Sequence, residues 1–107
     1  MAELGQTINR LRHTYSADVV VVETAYPFTN EGADASPNLL GQDSLIAGYP
    51  ATPAGQKKYL TDLTQLVFAN GGVGVVYWEP AWLSTKCKTR WGVGSNWENA
   101  ALFDFKG

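Results

Sequence analysis

The sequence predicts an α/β fold made of βα units from a (β/α)8 barrel, or TIM barrel, and two apolar runs carry this prediction. Residues 19–22 are four consecutive valines that Glu23 follows, and residues 73–78 form a second apolar run that Glu79 follows. Uninterrupted β-branched runs are typical of strands covered on both faces, as in parallel sheets. Because the catalytic groups of barrel enzymes lie at the carboxyl ends of strands, the two carboxylates indicate part of such an enzyme.

An amphipathic helix is predicted ahead of the first strand, from about residue 2 to about residue 14. Its apolar positions recur at the spacings of one helical face, and they are Leu4, Ile8, Leu11 and Tyr15. The first strand follows at about residues 18–23. Residues 24–51 are largely polar and have no sustained period, so we expect a loop there. Loops of this length are usually functional or disordered.

A second helix is predicted at about residues 53–70, because Thr52 can cap its first turn and proline is tolerated at the first helical position. Asn70, Gly71 and Gly72 accept the left-handed conformation that ends a helix. The second strand is predicted at about residues 73–78 and a second loop at 79–95.

A short final helix is predicted at about residues 96–104, because Ser95 and Glu98 have the S-x-x-E spacing of a capping box. In this order of elements, both long loops follow the carboxyl end of a strand, which is the ligand face of α/β folds. We expect the two strands to be adjacent and parallel, joined by a right-handed crossover.

Composition excludes several classes of partner. The chain has 45% hydrophobic residues and a formal charge of −2, with no apolar run near the length of a membrane span. Eight Lys and Arg against ten Asp and Glu form no basic stripe, so we expect neither a nucleic-acid nor a membrane partner. The cluster of Lys86, Lys88 and Arg90 is typical of a solvated loop.

Single cysteine and histidine residues limit the chemistry further. Cys87 is alone, which excludes an intramolecular disulfide, and one histidine, His13, makes a zinc site or a Ser-His-Asp triad hard to build. The N-terminal residues do not have the pattern of a signal peptide, so none is expected in this chain. That expectation leaves the compartment of a parent protein open.

Length conflicts with a complete barrel. The chain has 107 residues, whereas a (β/α)8 barrel takes about 200 or more, so most of a barrel is absent if the prediction is right. Two parallel strands leave both sheet edges unpaired. We therefore expect a homo-oligomer or a missing N-terminal barrel portion as the partner of these edges.

Strand alternation gives a first hypothesis for a site. Val19, Val21 and Glu23 should share one face of the first strand, and Trp78 should share a face with Val76 in the second. If Glu23 lies beside Trp78, a carboxylate and an indole line one cavity, which suits a sugar because its C–H face can lie on an aromatic ring. The alternative is that Glu23 is a strand-end carboxylate that caps a helix or pairs with a lysine.

Aromatic residues are numerous and allow two interpretations. They could form core, or, because most lie on loops rather than at helical spacing, they could bind a ligand. The set consists of Tyr26, Tyr49, Tyr77, Trp78, Trp82, Trp91 and Trp97.

Four motifs together resemble a known family. Residues 22–27 (VETAYP), 48–56 (GYPATPAGQ), 77–82 (YWEPAW) and 94–99 (GSNWEN) are similar to the C-terminal part of glycoside hydrolase family 53. Members of this family are endo-β-1,4-galactanases that cut arabinogalactan type I. The resemblance covers almost the whole chain, with the motifs in the family's order and spacing.

The resemblance implies the seventh and eighth strands of a clan A (β/α)8 barrel that hydrolyses galactan with retention, in a secreted, pectin-degrading enzyme of extracellular or periplasmic location. Glu23 matches the nucleophile position. Trp78 matches the tryptophan that floors the subsite of the reacting sugar, and Tyr26, Trp82 and Trp97 fall in motifs that shape the cleft, which makes these four residues the candidate substrate-binding set.

The chain departs from the family at the acid/base residue. That glutamate lies on the family's fourth strand after an asparagine, and no segment here corresponds to it. Retaining hydrolysis needs two carboxyl groups about 5–5.5 Å apart. Glu79 should lie on the opposite strand face from Trp78, so we do not assign it the acid role. The chain alone is therefore expected to be inactive.

No cofactor is expected. Some bacterial relatives bind calcium in the loop after the seventh strand, and the oxygen-bearing residues of the corresponding loop here are Asn30, Glu31, Asp34, Asn38 and Asp43. Their spacing matches no EF-hand loop, so solvated turn residues are the preferred interpretation.

Three functional hypotheses follow. The chain is a galactanase fragment that carries the nucleophile, or one chain of an enzyme assembled from two, or a non-catalytic module that binds galactan or self-associates through its strand edges.

Overall fold

A computed structural model describes all residues, Met1–Gly107. Helix α1 spans Ala2–Tyr15, strand β1 Val20–Thr24, helix α2 Pro53–Ala69 and strand β2 Gly74–Tyr77. None of the helices is long and apolar enough to cross a membrane. Contacts divide the chain into two compact units: unit 1 comprises residues 1–24 and 58–78, and unit 2 comprises residues 25–57 and 79–107.

Strands β1 and β2 pair in parallel, as the valine runs predict. Val20 pairs with Gly74 and Val21 with Val75, but the next pair is Thr24 with Tyr77. Strand β1 therefore contains one more residue than β2 between these pairs, which is the count of a β-bulge.

The core of unit 1 lies between this pair of strands and the two helices. Ile8 of α1 and Leu63 and Val67 of α2 are buried, and Val19, Val21 and Val75 pack against them. The alternate valines Val20, Val22 and Val76 remain 45%, 61% and 52% exposed. The sequence predicts strands covered on both faces, whereas the helices of this chain cover only one.

A side-chain cap and two glycines define the two ends of helix α2. At the start of α2, Gly55 N donates to Thr52 Oγ1 at 3.0 Å, which is the predicted cap. At its end, Gly71 takes a φ of 83°, and Gly72 N donates to Val67 O at 2.8 Å. A side chain at position 72 would meet Val67, so glycine allows the close approach there.

The predicted final helix at 96–104 is wrong. The structure has only a 3-10 turn at Glu98–Ala100 in this region. The two side chains of the predicted capping box have other partners: Ser95 Oγ donates to Trp82 O at 2.7 Å, and Glu98 Oε1 accepts from Ala33 N at 2.6 Å. A second 3-10 turn, Gln42–Ser44, lies within the predicted loop at 24–51.

Buried side-chain amides hold unit 2 together. Gln56 Nε2 lies within hydrogen-bond distance of three carbonyl oxygens, those of Tyr26 at 2.8 Å, Ala101 at 3.0 Å and Ala100 at 3.2 Å. Asn99 Nδ2 donates to two more, Thr29 O at 3.0 Å and Leu40 O at 2.8 Å. These amides connect the loop after β1 to the C-terminal segment.

Replacing Gln56 with Met is expected to lower the free energy of unfolding by about 2–3 kcal/mol, because the amide that serves three buried carbonyls is lost while the volume is kept. Urea unfolding measures this. Gln65→Met makes the same change at an exposed position of the same helix and serves as the control. Equal unfolding midpoints for the two variants would contradict the assigned role of Gln56.

Candidate active site

Glu23 lies in the bulge of β1 and has a left-handed backbone, with a φ of 59°. Val21 faces the helices, so regular alternation would turn residue 23 to the helices as well. The extra residue changes this: Thr24 pairs with Tyr77 and is buried, whereas Glu23 is exposed. The predicted shared face of Val19, Val21 and Glu23 is therefore wrong, and the bulge is the reason.

The backbone at this position is strained. A left-handed conformation costs a residue with a Cβ roughly 1–2 kcal/mol, and such strain concentrates at functional sites. Glu79, which follows the second strand, also has a positive φ, of 48°. The two glutamates that end the apolar runs thus share an unusual conformation.

Trp78 continues the strand ladder next to Glu23. Its backbone N donates to Thr24 O at 2.8 Å. Because Tyr77 pairs with the helix-facing Thr24, alternation places Trp78 on the opposite face, together with Val76. Glu23 and Trp78 therefore both lie at the carboxyl end of the strand pair, beside the Thr24–Tyr77 pair, where Glu23 is exposed and Trp78 is half-buried.

Tyr26 does not offer an exposed ring on which a sugar could stack, because only 2% of its surface is exposed. Its hydroxyl donates to Tyr49 O at 2.7 Å and accepts from Ile46 N at 2.9 Å. The two tyrosine rings meet edge to face at 6.2 Å. Tyr26 thus anchors the loop of unit 2 from within.

Trp82 lines an open cleft of about 490 Å³ within unit 2, together with Glu79 and Trp91. Trp91 is 77% exposed, and the Arg90 guanidinium lies 5.0 Å from the centre of its ring. The candidate set from the sequence omits Trp91. Its position in a polar turn, beside a glycine, is the signal that points to a surface aromatic.

Trp97 is half-buried and begins the 3-10 turn at Glu98–Ala100. Its backbone N donates to Ser95 Oγ at 3.2 Å, and its carbonyl accepts from Ala100 N at 2.9 Å. The backbone of Trp97 is therefore part of the turn that holds Glu98 in place.

A polar cluster of Asp34, Ser84 and Glu98, of which Glu98 is fully buried, joins the two loops of unit 2. Ser84 Oγ lies within hydrogen-bond distance of Glu98 Oε2, at 2.5 Å, and of Asp34 Oδ2. Asp34 also accepts from the backbone N of Ser36 at 2.6 Å and of Ser95 at 2.8 Å. The Ser84 hydrogen bond is the main cause that lowers the pKa of Asp34 below its ordinary value of 3.8, and backbone donors from Ser36 and Ser95 add to this against the effect of burial.

Three of the five oxygen-bearing residues named as calcium candidates, Asn30, Asp34 and Asn38, make hydrogen bonds within unit 2. Calcium takes six to eight oxygen ligands, roughly, around one centre. Both oxygens of Asp34 accept hydrogen bonds from N–H or O–H donors. Asn30 and Asn38 donate their amides to Gln42 Oε1 and Glu31 O. No group of three His, Cys, Asp or Glu side chains is arranged to hold a metal ion.

Amide substitutions in this cluster are expected to have unequal effects. A glutamine at 98 can accept from Ala33 N with its oxygen and donate to Ser84 Oγ, so Glu98→Gln should change the free energy of unfolding by about 0.5 kcal/mol or less. An asparagine at 34 has only one oxygen for the two backbone donors, Ser36 N and Ser95 N. Asp34→Asn should therefore lower the free energy of unfolding by about 2 kcal/mol. Thermal unfolding at neutral pH compares the two, and equal effects would contradict the assigned contacts.

Acid should weaken the same cluster. Because the pKa of Asp34 is lower in the folded chain than in the unfolded chain, its carboxylate stabilises the fold above pH 3.8, and this contribution is lost as the pH falls through the folded value. Unfolding midpoints measured from pH 6 to about pH 2 should fall less steeply for Asp34→Asn than for the unsubstituted chain. Parallel curves would show that Asp34 does not contribute.

Comparisons with known proteins show which family the chain matches. The family model "Glycosyl hydrolase family 53" matches residues 1–107. An arabinogalactan endo-β-1,4-galactanase of Cellvibrio japonicus is 51% identical over 104 residues, which is 97% of this chain and 28% of the relative. An endo-β-1,4-galactanase of Bacillus subtilis is 29% identical over 100% of this chain and 32% of its own length.

Solved structures agree with the sequence comparison. The catalytic domain of an Ignisphaera aggregans protein of this family superimposes with a TM-score of 0.86 at 33% identity, and the match covers 96% of this chain and 30% of that domain. The chain thus spans about 30% of the length of these relatives. The family model, which matches the whole chain, and the 51% identity to the Cellvibrio japonicus relative show that the chain is a member of glycoside hydrolase family 53.

Proposed function

We propose that this chain is the C-terminal portion of a retaining endo-β-1,4-galactanase and that Glu23 is its nucleophile. The observation that supports the proposal is the bulge in β1, which leaves Glu23 exposed at the carboxyl end of the strand pair, where Trp78 follows β2. The names of the Cellvibrio japonicus and Bacillus subtilis relatives support the substrate, a β-1,4-linked galactan.

The chemistry assigns one half of a two-carboxylate reaction to this chain. The Glu23 carboxylate attacks the anomeric carbon, and a carbon–oxygen bond forms as the bond to the leaving oxygen breaks. A second carboxyl group must protonate that oxygen and later take a proton from the water that hydrolyses the glycosyl-enzyme. We assign this group to the barrel portion that the relatives possess and this chain does not span.

Aromatic faces supply sugar contacts in the proposal. Trp78 carries the C–H face of the reacting galactosyl unit, beside Glu23. Trp82 and Trp91 form a sugar-binding surface of unit 2, because both line its open cleft. Trp97 supports this unit, and Tyr26 acts through the loop that it anchors rather than by contact with sugar. We place the parent enzyme outside the cytoplasm, where galactan side chains of pectin occur.

A second function is favoured by a specific surface. The half-exposed valines Val20, Val22 and Val76 lie on the face that the helices leave uncovered. A partner could cover this face, either as a second polypeptide that completes an enzyme or as another copy of the chain in a non-catalytic galactan-binding module.

The nucleophile is tested in a chimera in which this chain replaces the matching segment of the Cellvibrio japonicus enzyme. Glu23→Gln should lower release of reducing ends from β-1,4-galactan by about 10⁴-fold or more, because the amide keeps the shape but cannot form the glycosyl-enzyme. Galactan binding should persist. The isolated chain should show no useful turnover.

Glu3→Gln is the control, because Glu3 is an exposed glutamate of α1 that lies outside the proposed site. It should retain turnover within about twofold of the unsubstituted chimera, since no role in binding or chemistry is assigned to it. An active Glu23→Gln chimera, or an isolated chain that hydrolyses galactan well, would contradict the proposed function.

Association in solution separates the two functions. If the valine face is covered by copies of the chain, light scattering should give multiples of 11.6 kDa, and Val22→Lys should reduce the mass to that of one chain by placing a charge on the face. The control is Phe68→Lys, an exposed apolar position on α2. A single-chain mass for the unsubstituted protein excludes self-association through this face.

A further inference from the structure

We propose that Thr24 is a positioning residue for the nucleophile: its hydroxyl contact with Tyr59 of α2 fixes the bulge that turns Glu23 away from the helices. The inference rests on the proposed function, because it concerns how the assigned nucleophile is presented. Thr24 touches neither sugar nor the reacting atoms in this proposal. It acts through the backbone that it shares with Glu23.

The pairing register of β1 and β2 shows that one extra residue of β1 must be held in the bulge. Between their aligned pairs, β1 runs from Val21 to Thr24 while β2 runs only from Val75 to Tyr77. Without the extra residue, residue 23 would pair with Tyr77 and would lie on the helix-facing side, in the place that Thr24 now occupies at the edge of the apolar core. Burying an unpaired carboxylate among apolar side chains is strongly unfavourable. The regular register would thus remove Glu23 from its exposed position.

Thr24 favours the bulged register through its hydroxyl. The residue is 9% exposed, and its Oγ1 lies 3.2 Å from Tyr59 OH. Its carbonyl accepts from Trp78 N at 2.8 Å. A buried hydroxyl needs a partner, and this residue meets the Tyr59 hydroxyl only on the helix side of the sheet.

Tyr59 gives this contact a fixed position. Its ring packs against the core cluster of Ile8, Leu63 and Val67, so its hydroxyl is held by α2 rather than by the strand. The contact therefore ties the end of β1 to a helix that packs on the same strand pair. The contact also holds Glu23 in its strained left-handed conformation, which a regular register would not require.

Loss of the contact should act on chemistry more than on affinity. A displacement of about 1 Å in a reacting group can lower a rate about 10²-fold. In the chimera described above, Thr24→Val, which removes the hydroxyl at almost constant volume, should lower kcat at least about tenfold while KM changes by about twofold or less. Thr24→Ser, which keeps the hydroxyl, should restore kcat to within about twofold to threefold.

A second readout follows the bulge directly. The backbone φ of Glu23, obtained by NMR from couplings and chemical shifts of the 107-residue chain, should be fixed and positive in the unsubstituted chain and in Thr24→Ser, and averaged over several conformations in Thr24→Val. Thr64→Val makes the same atomic change on α2 and should alter neither kcat nor this angle. If Thr24→Val does not fold, Tyr59→Phe removes the same contact from the helix side and is judged by the same two readouts.

The outcomes separate the two proposals. A Glu23→Gln chimera without activity, combined with a Thr24→Val chimera of unchanged kcat and a fixed, positive φ at Glu23, overturns the positioning role and leaves the nucleophile assignment intact. An active Glu23→Gln chimera overturns the proposed function, and the angle at Glu23 then still decides whether Thr24 fixes the bulge. A purely structural role for Thr24 would lower stability with kcat and the angle unchanged, which also overturns the proposal.

Discussion

One-sided packing of the parallel strand pair is the constraint on which unit 1 depends. Val21 and Val75 face Leu63 and Val67 of α2, so every second residue of each strand is committed to the helices. A polar group on that side would enter an apolar interface. Any chemistry at the strand ends must therefore use the other face, and strand alternation alone does not bring Glu23 there. The one-residue bulge reconciles the apolar pattern of the strand with an exposed carboxylate at its end.

Unit 2 is held by a different kind of interaction. Its buried apolar side chains are few and mostly small, whereas Gln56, Asn99 and Glu98 are all buried and donate to or accept from main-chain groups. Hydrogen bonds are directional, so such a network fixes loop geometry more narrowly than apolar contact does. A loop that must hold aromatic side chains in defined positions benefits from this rigidity.

The sequence predicted the parts of the fold that depend on repeated spacing. The helix bounds differ from the predicted ones by about one residue, because apolar periodicity and the Thr52 cap are local signals. Position 23 stands out in the sequence because a carboxylate ends an apolar run inside a family motif. Its role as a nucleophile remains a proposal.

Other features of the site had no local signal. A bulge inserts one residue and leaves a run of valines unchanged in appearance, so the face of Glu23 could not be predicted by alternation. Ser95 and Glu98 matched a capping box, but Glu98 bonds Ala33, 65 positions away in sequence. The burial of Tyr26 likewise depends on Ile46 and Tyr49, which only the folded loop brings to its hydroxyl.

The long-range amide contacts of Gln56 have a consequence for the order of folding. Its carbonyl partners at residues 100 and 101 lie 44 and 45 positions later in the chain, so loop-closure entropy must be overcome before those hydrogen bonds form. During synthesis, the loop after β1 leaves the ribosome well before the segment that closes it. The hydrogen bonds of Gln56 to this segment can therefore form only after residues 100 and 101 have emerged.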